Sequence, residues 1–402
     1  MSDPFDQRLS TRVKGVTSSA IREILKVANQ PDIISFAGGL PAPDYFPIEA
    51  MRVAADRVLS QRGRSALQYG ATEGVPELRE LIAERATEQE PQAPVGPENV
   101  ILTTGSQQAL DLVSKVLLDP GDLMITEDPT YLGALQAFRL FQATYHTVAM
   151  DDEGALPDAL REGLEQSPKF AYLLPTFQNP TGRTMGRRRR EAVAELFREY
   201  QVPLVEDEPY SALYFDGPAG PSLRSLAPDL TLALGTFSKT LAPGLRLGWV
   251  IGPAAWVARL AQVKQSADLH TSTLSQHVAL EVLTSGALEP HLDVLRGVYQ
   301  ERCQAMLEAL AEHFPKGSRW TVPTGGMFVW VELPEGVDVA PLLPRVVAEE
   351  KVAYVPGAPF HPNGGGLNTM RLNFTHAPTD VVRDGVARLG RALARALDAA
   401  PA

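Results

Sequence analysis

Between Asn99 and Glu208, short β-branched apolar runs alternate with segments of helical period. "NVILTTG" precedes "SQQALDLVSKVLLDPG", "LMITEDP" precedes "YLGALQAFRLFQ", "FAYLLP" precedes "RREAVAELFREY", and "VPLVEDE" follows. A strand-length apolar run followed by an amphipathic helix, repeated, folds as βαβ units, because parallel strands need a crossover that returns the chain to the same edge. The expected fold class is therefore α/β: a large, mostly parallel sheet flanked by helices. In open sheets of this kind ligands bind beyond the carboxyl ends of the strands. Each unusual cluster in the chain falls just after a strand.

At 402 residues the chain exceeds the roughly 100–200 residues of one ordinary domain. Past "GPAAWVARLAQVKQ" the pattern changes to long helical segments such as "EPHLDVLRGVYQERCQAMLEALAEHF", then to the short strands "MFVWVEL", "VAYVPG" and "TMRLNFT". Three parts are expected. Residues 1–40 hold a helix, "SSAIREILKVAN", and a substrate-covering segment that packs with the small domain. Residues 41–286 form the large ligand-binding α/β domain, and residues 287–402 a smaller α+β domain.

A formal charge of −11 gives no global attraction to nucleic acid or to an anionic membrane. The local run "RRRR" at Arg187–Arg190 reads as the solvated start of an amphipathic helix. The single cysteine, Cys303, permits no intrachain disulfide and no thiolate metal cluster. The polar opening "MSDPFDQRLSTR" lacks the apolar core of a secretion signal, and no apolar stretch approaches the roughly 20 residues of a membrane span. A cytoplasmic protein without metal is expected.

Four clusters carry candidate chemistry. In "TTGSQQAL" a strand ends, Gly105 allows a tight turn, and Ser106 and Gln107 open a helix whose free N–H groups suit a phosphate; an ordinary helix cap reads equally well. Arg246 in "PGLRLG" is the matching cation, since a guanidinium grips two phosphate oxygens at once. In "VPLVEDEPY" side-chain alternation puts Asp207 on the face of Val205, at an apolar strand end where a surface acid is the plainer alternative. Asn179 in "FQNPTG" and Tyr131 in "DPTYLG" fit an inward-facing amide and a ring-stacking aromatic, or a turn and a core residue. Between strand and turn, in "LGTFSKTLAPGLRLG", stands Lys239. Taken together the clusters describe one ligand, with a phosphate, a ring bearing a basic nitrogen and a carbonyl open to an amine: pyridoxal 5′-phosphate.

The stretches "SFAGGLPAPDYFP", "LQYGATEG", "TTGSQQALDL", "FQNPTG", "GTFSKTLAPGLRLGW", "KQSADLHT" and "GGMFVW" make the chain resemble, over nearly its whole length, the class I/II aminotransferases of fold type I. More narrowly it resembles the 2-aminoadipate branch, which includes the bacterial lysine-biosynthesis enzyme and kynurenine aminotransferase II. The resemblance implies Lys239 as the Schiff-base lysine, Asp207 as partner of the ring nitrogen, Asn179 and Tyr210 at the ring hydroxyl, and Tyr131 stacked on the ring. Ser106, Gln107, Ser238 and Arg246 would hold the phosphate, with Tyr69 reaching across from a second subunit of a homodimer with shared sites. Arg371 would take the substrate α-carboxylate beside Gly39 and Asn179, and Arg22 on the N-terminal helix a distal carboxylate. Thr236 departs from the usual serine of the motif and keeps its hydroxyl.

The implied reaction is ping-pong transamination between an L-amino acid and a 2-oxo acid, with 2-aminoadipate and 2-oxoglutarate foremost. Leucine, aromatic amino acids or kynurenine are the alternative donors. A lyase or decarboxylase on the same scaffold, and a transcription regulator's effector domain, are the readings from other classes; only about 35 residues precede "ISFAGG", too few for a winged-helix module.

Overall fold

The computed structural model describes residues 8–14, 30 and 32–398. The expected helix "SSAIREILKVAN", and Arg22 with it, lies outside the described residues.

Seven strands make the central sheet: β1 (Val100–Thr103), β2 (Leu123–Glu127), β3 (Thr144–Val148), β4 (Ala171–Leu173), β5 (Leu204–Asp207), β6 (Thr231–Thr236) and β7 (Gly248–Ile251). Their order across the sheet is β1-β7-β6-β5-β4-β2-β3. β7 runs antiparallel to both neighbours, and the remaining pairs are parallel. The alternation from Asn99 marks β1, β2, β4 and β5 but not β3, because β3 is an edge strand whose residues are mostly half-exposed and read as polar.

Helices cover both faces. α1 (Ile48–Ala66) and α2 (Pro76–Gln89) precede the sheet. α3 (Ser106–Leu117), α4 (Leu132–Arg139), α5 (Pro157–Leu164), α6 (Arg187–Tyr200) and α7 (Ala254–Ala267) lie against it, and α8 (Thr273–Thr284) packs on α1. Val205, Tyr172, Leu234 and Val250 share one core with Leu110, Phe138 and Leu260 of α3, α4 and α7. Leu204, Ala171 and Ile125 share another with Leu160 and Phe197 of α5 and α6. With a side-chain period of two, Asp207 follows Val205 towards the first core and Glu206 follows Leu204 towards the second.

α9 (Leu288–His313) leads to a second, antiparallel sheet of order β8-β9-β11-β10, with β8 at Arg319–Trp320, β9 at Phe328–Glu332, β10 at Val355–Pro356 and β11 at Thr369–Asn373. α10 (Thr379–Asp398) packs on α9, and its Val382, Val386, Leu389 and Leu393 form one buried stripe at helical spacing. The early chain is stitched to this second sheet. Ile34–Ser35 pairs parallel with Val352–Ala353, Asn373 N donates to Phe36 O at 2.9 Å, and Thr375 Oγ1 donates to Leu40 O at 2.9 Å. Residues 36–42 thereby cross to the carboxyl end of the first sheet. Among the described residues no helix is long and apolar enough to cross a membrane.

The arginine run is not a uniformly solvated helix start. Arg187 and Arg188 are exposed, but Arg189 donates to both carboxylate oxygens of Asp151, and Arg190 is buried. Arg190 donates to Met185 O at 2.7 Å, Pro175 O at 3.0 Å and Thr176 Oγ1 at 2.7 Å, with Glu208 Oε1 3.7 Å away. Helical phase turns one of four successive residues towards the sheet, and there the buried Glu206 and the half-buried Glu208 need a cation.

Candidate active site

Lys239 leaves the carboxyl end of β6 and its Nζ donates to the backbone carbonyl of Gly39 at 2.7 Å. The side chain is half-buried. Burial first, then the positive charges of Arg371 and Arg246, push its pKa down to about 8 from an ordinary 10.5. Each influence disfavours an ammonium, so the amine is far easier to free than that of a surface lysine. Any side chain at position 39 would press on Phe328, since a Cβ there meets its ring at 3.2 Å.

Two segments converge on a basic, donor-rich turn. Gly105 has φ of +77°, which lets α3 begin directly after β1, and a Cβ there would sit 2.5 Å from Arg246 Nη2. The first N–H groups of α3, on Ser106 and Gln107, have no partner within the helix. Arg246 Nη2 lies 3.5 Å from Thr104 O, and its Nη1 3.5 Å from Ser238 Oγ. Ser238 N donates to Thr236 Oγ1 at 3.1 Å, so threonine at the departing position still braces the loop. The Gln107 side chain turns away and donates to Gly133 O at 2.9 Å, leaving its backbone N–H as its contribution to the turn.

Asp207 ends β5 at 2% exposure. Tyr172 Oη, from neighbouring β4, donates to its Oδ2 at 2.7 Å, while Oδ1 is buried without a partner. Burial raises the carboxyl pKa to about 6, and the tyrosine bond opposes that rise.

Arg371, on β11, is 2% exposed and reaches across from the second sheet. Its Nη1 donates to Asn179 Oδ1 and its Nη2 to Ala37 O, both at 2.8 Å. Its guanidinium lies 4.2 Å from the Phe328 ring centroid and 5.2 Å from that of Phe360. Asn179, whose peptide to Pro180 is cis, donates through Nδ2 to Tyr210 Oη at 3.4 Å. Two of five guanidinium donors are thus used, and the buried Nε is without a partner.

Tyr131 precedes α4 with its ring folded over Gly133, where a Cβ would meet the hydroxyl at 2.5 Å. Burial, then the Asp207 carboxylate, push its hydroxyl pKa up. Tyr69 stands apart, 79% exposed, with its ring edge-on to His270 at 5.7 Å. Tyr172 escapes sequence reasoning because a tyrosine in the apolar run "FAYLLP" looks like core. Its alignment with Val205 in the parallel register is the signal that pairs it with Asp207.

The residues fit pyridoxal 5′-phosphate on two orphaned polar atoms. Asp207 Oδ1 lacks the donor that a protonated ring nitrogen supplies, and Ser106 Oγ at the helix start lacks the partner that a phosphate oxygen supplies; a third, Arg371 Nε, lacks an acceptor such as an amino acid's carboxylate.

Comparison with known proteins agrees with this geometry. The aminotransferase class I and II family matches residues 32–389. A 2-aminoadipate transaminase of Thermus thermophilus is 46% identical over 94% of this chain and 94% of its own length. An aromatic-amino-acid aminotransferase of Thermococcus litoralis is 42% identical over 97% of this chain and 94% of its own. The crystal structure of LysN, an α-aminoadipate aminotransferase of Thermus thermophilus complexed with N-(5′-phosphopyridoxyl)-L-leucine, superposes with a TM-score of 0.92 at 44% identity, covering 98% of this chain and all of that one.

Proposed function

Since the chain belongs to the class I and II aminotransferases, we propose 2-aminoadipate as its principal amino donor and 2-oxoglutarate as the acceptor. The protein is a pyridoxal-phosphate-dependent aminotransferase of fold type I. The observation that carries the reading of its site is one geometry. A half-buried lysine amine, its pKa pushed down by burial and then by two arginines, and a buried aspartate that keeps one oxygen free both stand at carboxyl ends of strands of one sheet.

When bound, pyridoxal 5′-phosphate supplies an aldehyde for amines and a ring that withdraws electrons from the substrate. Lys239 would hold that aldehyde, and its amine, whose pKa burial and the two arginines push down to about 8, would be the base placed to move the proton at the substrate Cα; a positioned base of this kind contributes about 10²–10⁴-fold. Asp207 would keep the ring nitrogen protonated through Oδ1, with Tyr172 fixing Oδ2. Asn179 and Tyr210 would take the ring hydroxyl, and Tyr131 would stack on the ring. The turn at Gly105–Gln107, Ser238 and Arg246 would hold the phosphate. Arg371, its Nε without a partner, would take the substrate α-carboxylate next to Gly39.

A homodimer belongs to this reading, because the exposed Tyr69 is then available to a partner's phosphate. So does the assignment of a distal carboxylate to Arg22, the division at residues 40 and 286, a cytoplasmic setting and a role in lysine biosynthesis. The substrate choice is supported by the 46% identity to the 2-aminoadipate transaminase. A second reading, a donor such as leucine, phenylalanine or kynurenine, is favoured by the aromatic-amino-acid relative at 42%.

The test is a donor screen on purified protein with 2-oxoglutarate, comparing kcat/KM for 2-aminoadipate, leucine, kynurenine and phenylalanine. The highest value is expected for 2-aminoadipate, with glutamate as product. A higher value for leucine or phenylalanine moves the assignment to the second reading, and release of carbon dioxide replaces transamination altogether.

A further inference from the structure

Lys264, on α7, has a fully buried side chain at 0% exposure, alone among the lysines of the described residues. Its Nζ donates to both oxygens of Asp268, at 2.6 and 2.8 Å, and to Gln108 Oε1 at 2.9 Å. Both acceptors meet again at one residue. Gln108 Oε1 accepts from Thr104 N at 2.7 Å, and Asp268 Oδ2 accepts from Thr104 Oγ1 at 3.0 Å. Thr104 is followed directly by Gly105 and Ser106, and its carbonyl lies 3.5 Å from Arg246 Nη2. One ammonium therefore organises the three residues that set the direction of the turn.

An aspartate beside a turn meant for a phosphate needs an explanation, since like charges repel. The carboxylate is useful as an acceptor for the Thr104 hydroxyl, but its charge works against a phosphate dianion. Lys264 cancels that charge without approaching the ligand, because all its donors are taken up by Asp268 and Gln108. Only the lysine of this pair is buried; the Asp268 side chain is 27% exposed.

We propose that Lys264 and Asp268 are positioning residues for the cofactor phosphate: together they fix Thr104 and the turn after it, and Lys264 keeps Asp268 from repelling the phosphate. This rests on the pyridoxal-phosphate reading of the site. None of the four residues Thr104, Gln108, Lys264 and Asp268 touches the reacting atoms in that reading.

The test measures dissociation constants on cofactor-free protein by absorbance titration, with two probes: pyridoxal 5′-phosphate, and pyridoxal, which lacks the phosphate. Lys264→Met is expected to weaken pyridoxal 5′-phosphate by about tenfold or more, the scale of a lost charge-assisted bond. Pyridoxal itself is expected to change by less than about threefold, because its contacts lie elsewhere. Adding Asp268→Asn to Lys264→Met is expected to recover most of the lost affinity, since the uncompensated charge is gone. Asp268→Asn alone, which keeps the cation and an acceptor for Thr104, is expected to bind pyridoxal 5′-phosphate at least as tightly as the parent.

Equal weakening of both probes by Lys264→Met would show a general loss of structure and overturn the proposal. So would a double variant no better than the single one. If Lys264→Met does not fold, the Asp268→Asn arm decides: weaker binding of the phosphate probe alone contradicts charge cancellation. Parent protein that binds the two probes equally would instead remove the phosphate site itself, a failure of the functional reading rather than of this inference.

Discussion

Tyr172 donates its hydroxyl to Asp207 Oδ2 at 2.7 Å across two adjacent parallel strands, and this single bond leaves the other carboxylate oxygen buried and free. Burial raises the Asp207 pKa to about 6, and the tyrosine counters it. Tyr172→Phe removes the counterweight, so the carboxyl is expected to titrate higher and to pair less firmly with a protonated ring nitrogen. A hydrogen bond to a charged group is worth about 1.5–3 kcal/mol, so kcat is expected to fall by about tenfold or more while KM changes little. A pH titration of the bound cofactor's visible absorbance checks the first step, and steady-state kinetics the second.

Lys239 has its pKa pushed down to about 8 by burial, then by Arg371 and Arg246. In cofactor-free protein the folded state therefore releases a proton that the unfolded state keeps up to the ordinary 10.5. Where the unfolded state binds more protons, stability rises with pH. Relative to Lys239→Met, the cofactor-free parent is expected to gain in melting temperature from pH 8 to pH 10.5. Arg371→Leu removes the larger of the two charge effects and is expected to move the midpoint of Lys239 acylation by an amine-reactive reagent to higher pH. A midpoint unchanged in that variant would contradict the coupling.

Much of the architecture and the outline of the site were legible in the chain because they rest on local signals. Apolar runs followed by helical period mark β1, β2, β4 and β5. Lys239, Asp207 and Asn179 stand out as polar groups at the ends of such runs, where water alone does not explain them. What was not legible depends on register and phase. β3 lies at an edge and carries no apolar run. Tyr172 acquires its meaning only when β4 aligns with β5. The four arginines from Arg187 look alike until the helix turns Arg190 inward. Lys264 and Asp268 stand 160 or so positions from Thr104, a distance that only the fold closes.

Glu127, at the end of β2, is fully buried and accepts at Oε2 from Leu174 N at 3.0 Å and from Gln178 Nε2 at 3.2 Å. Gln178 also donates to Pro129 O at 2.7 Å, so this carboxyl ties the segment before Tyr131 to the segment before Asn179. Burial raises its pKa to about 8 from 4.5. The folded state thus holds a proton that the unfolded state loses at lower pH, and this contribution to stability fades as pH rises from 4.5 towards 8. Glu127→Gln keeps the acceptor and removes the titration. Thermal melts at pH 5 and pH 8.5 are expected to show the variant gaining on the parent at the higher pH; a constant difference would mean that Glu127 is not protonated in the fold.

Arg190 supplies a sharper contrast, because the same short run contains a solvated control. Its guanidinium is 1% exposed and is held by Met185 O, Pro175 O and Thr176 Oγ1, with Glu208 within 3.7 Å. Glu208 is driven up to about 8 by burial, then by the neighbouring Glu206, and Arg190 opposes both effects. Arg190→Met leaves the buried Glu206 and the half-buried Glu208 without their cation and three acceptors without a donor. Breaking a buried pair from one side typically costs about 3–5 kcal/mol, so denaturant melts of the purified variant should show a loss of that order. Arg188→Met, two positions earlier and exposed, is expected to stay within about 0.5 kcal/mol of the parent. Equal stabilities for the two variants would show that the fourth arginine of the run is as solvated as the second.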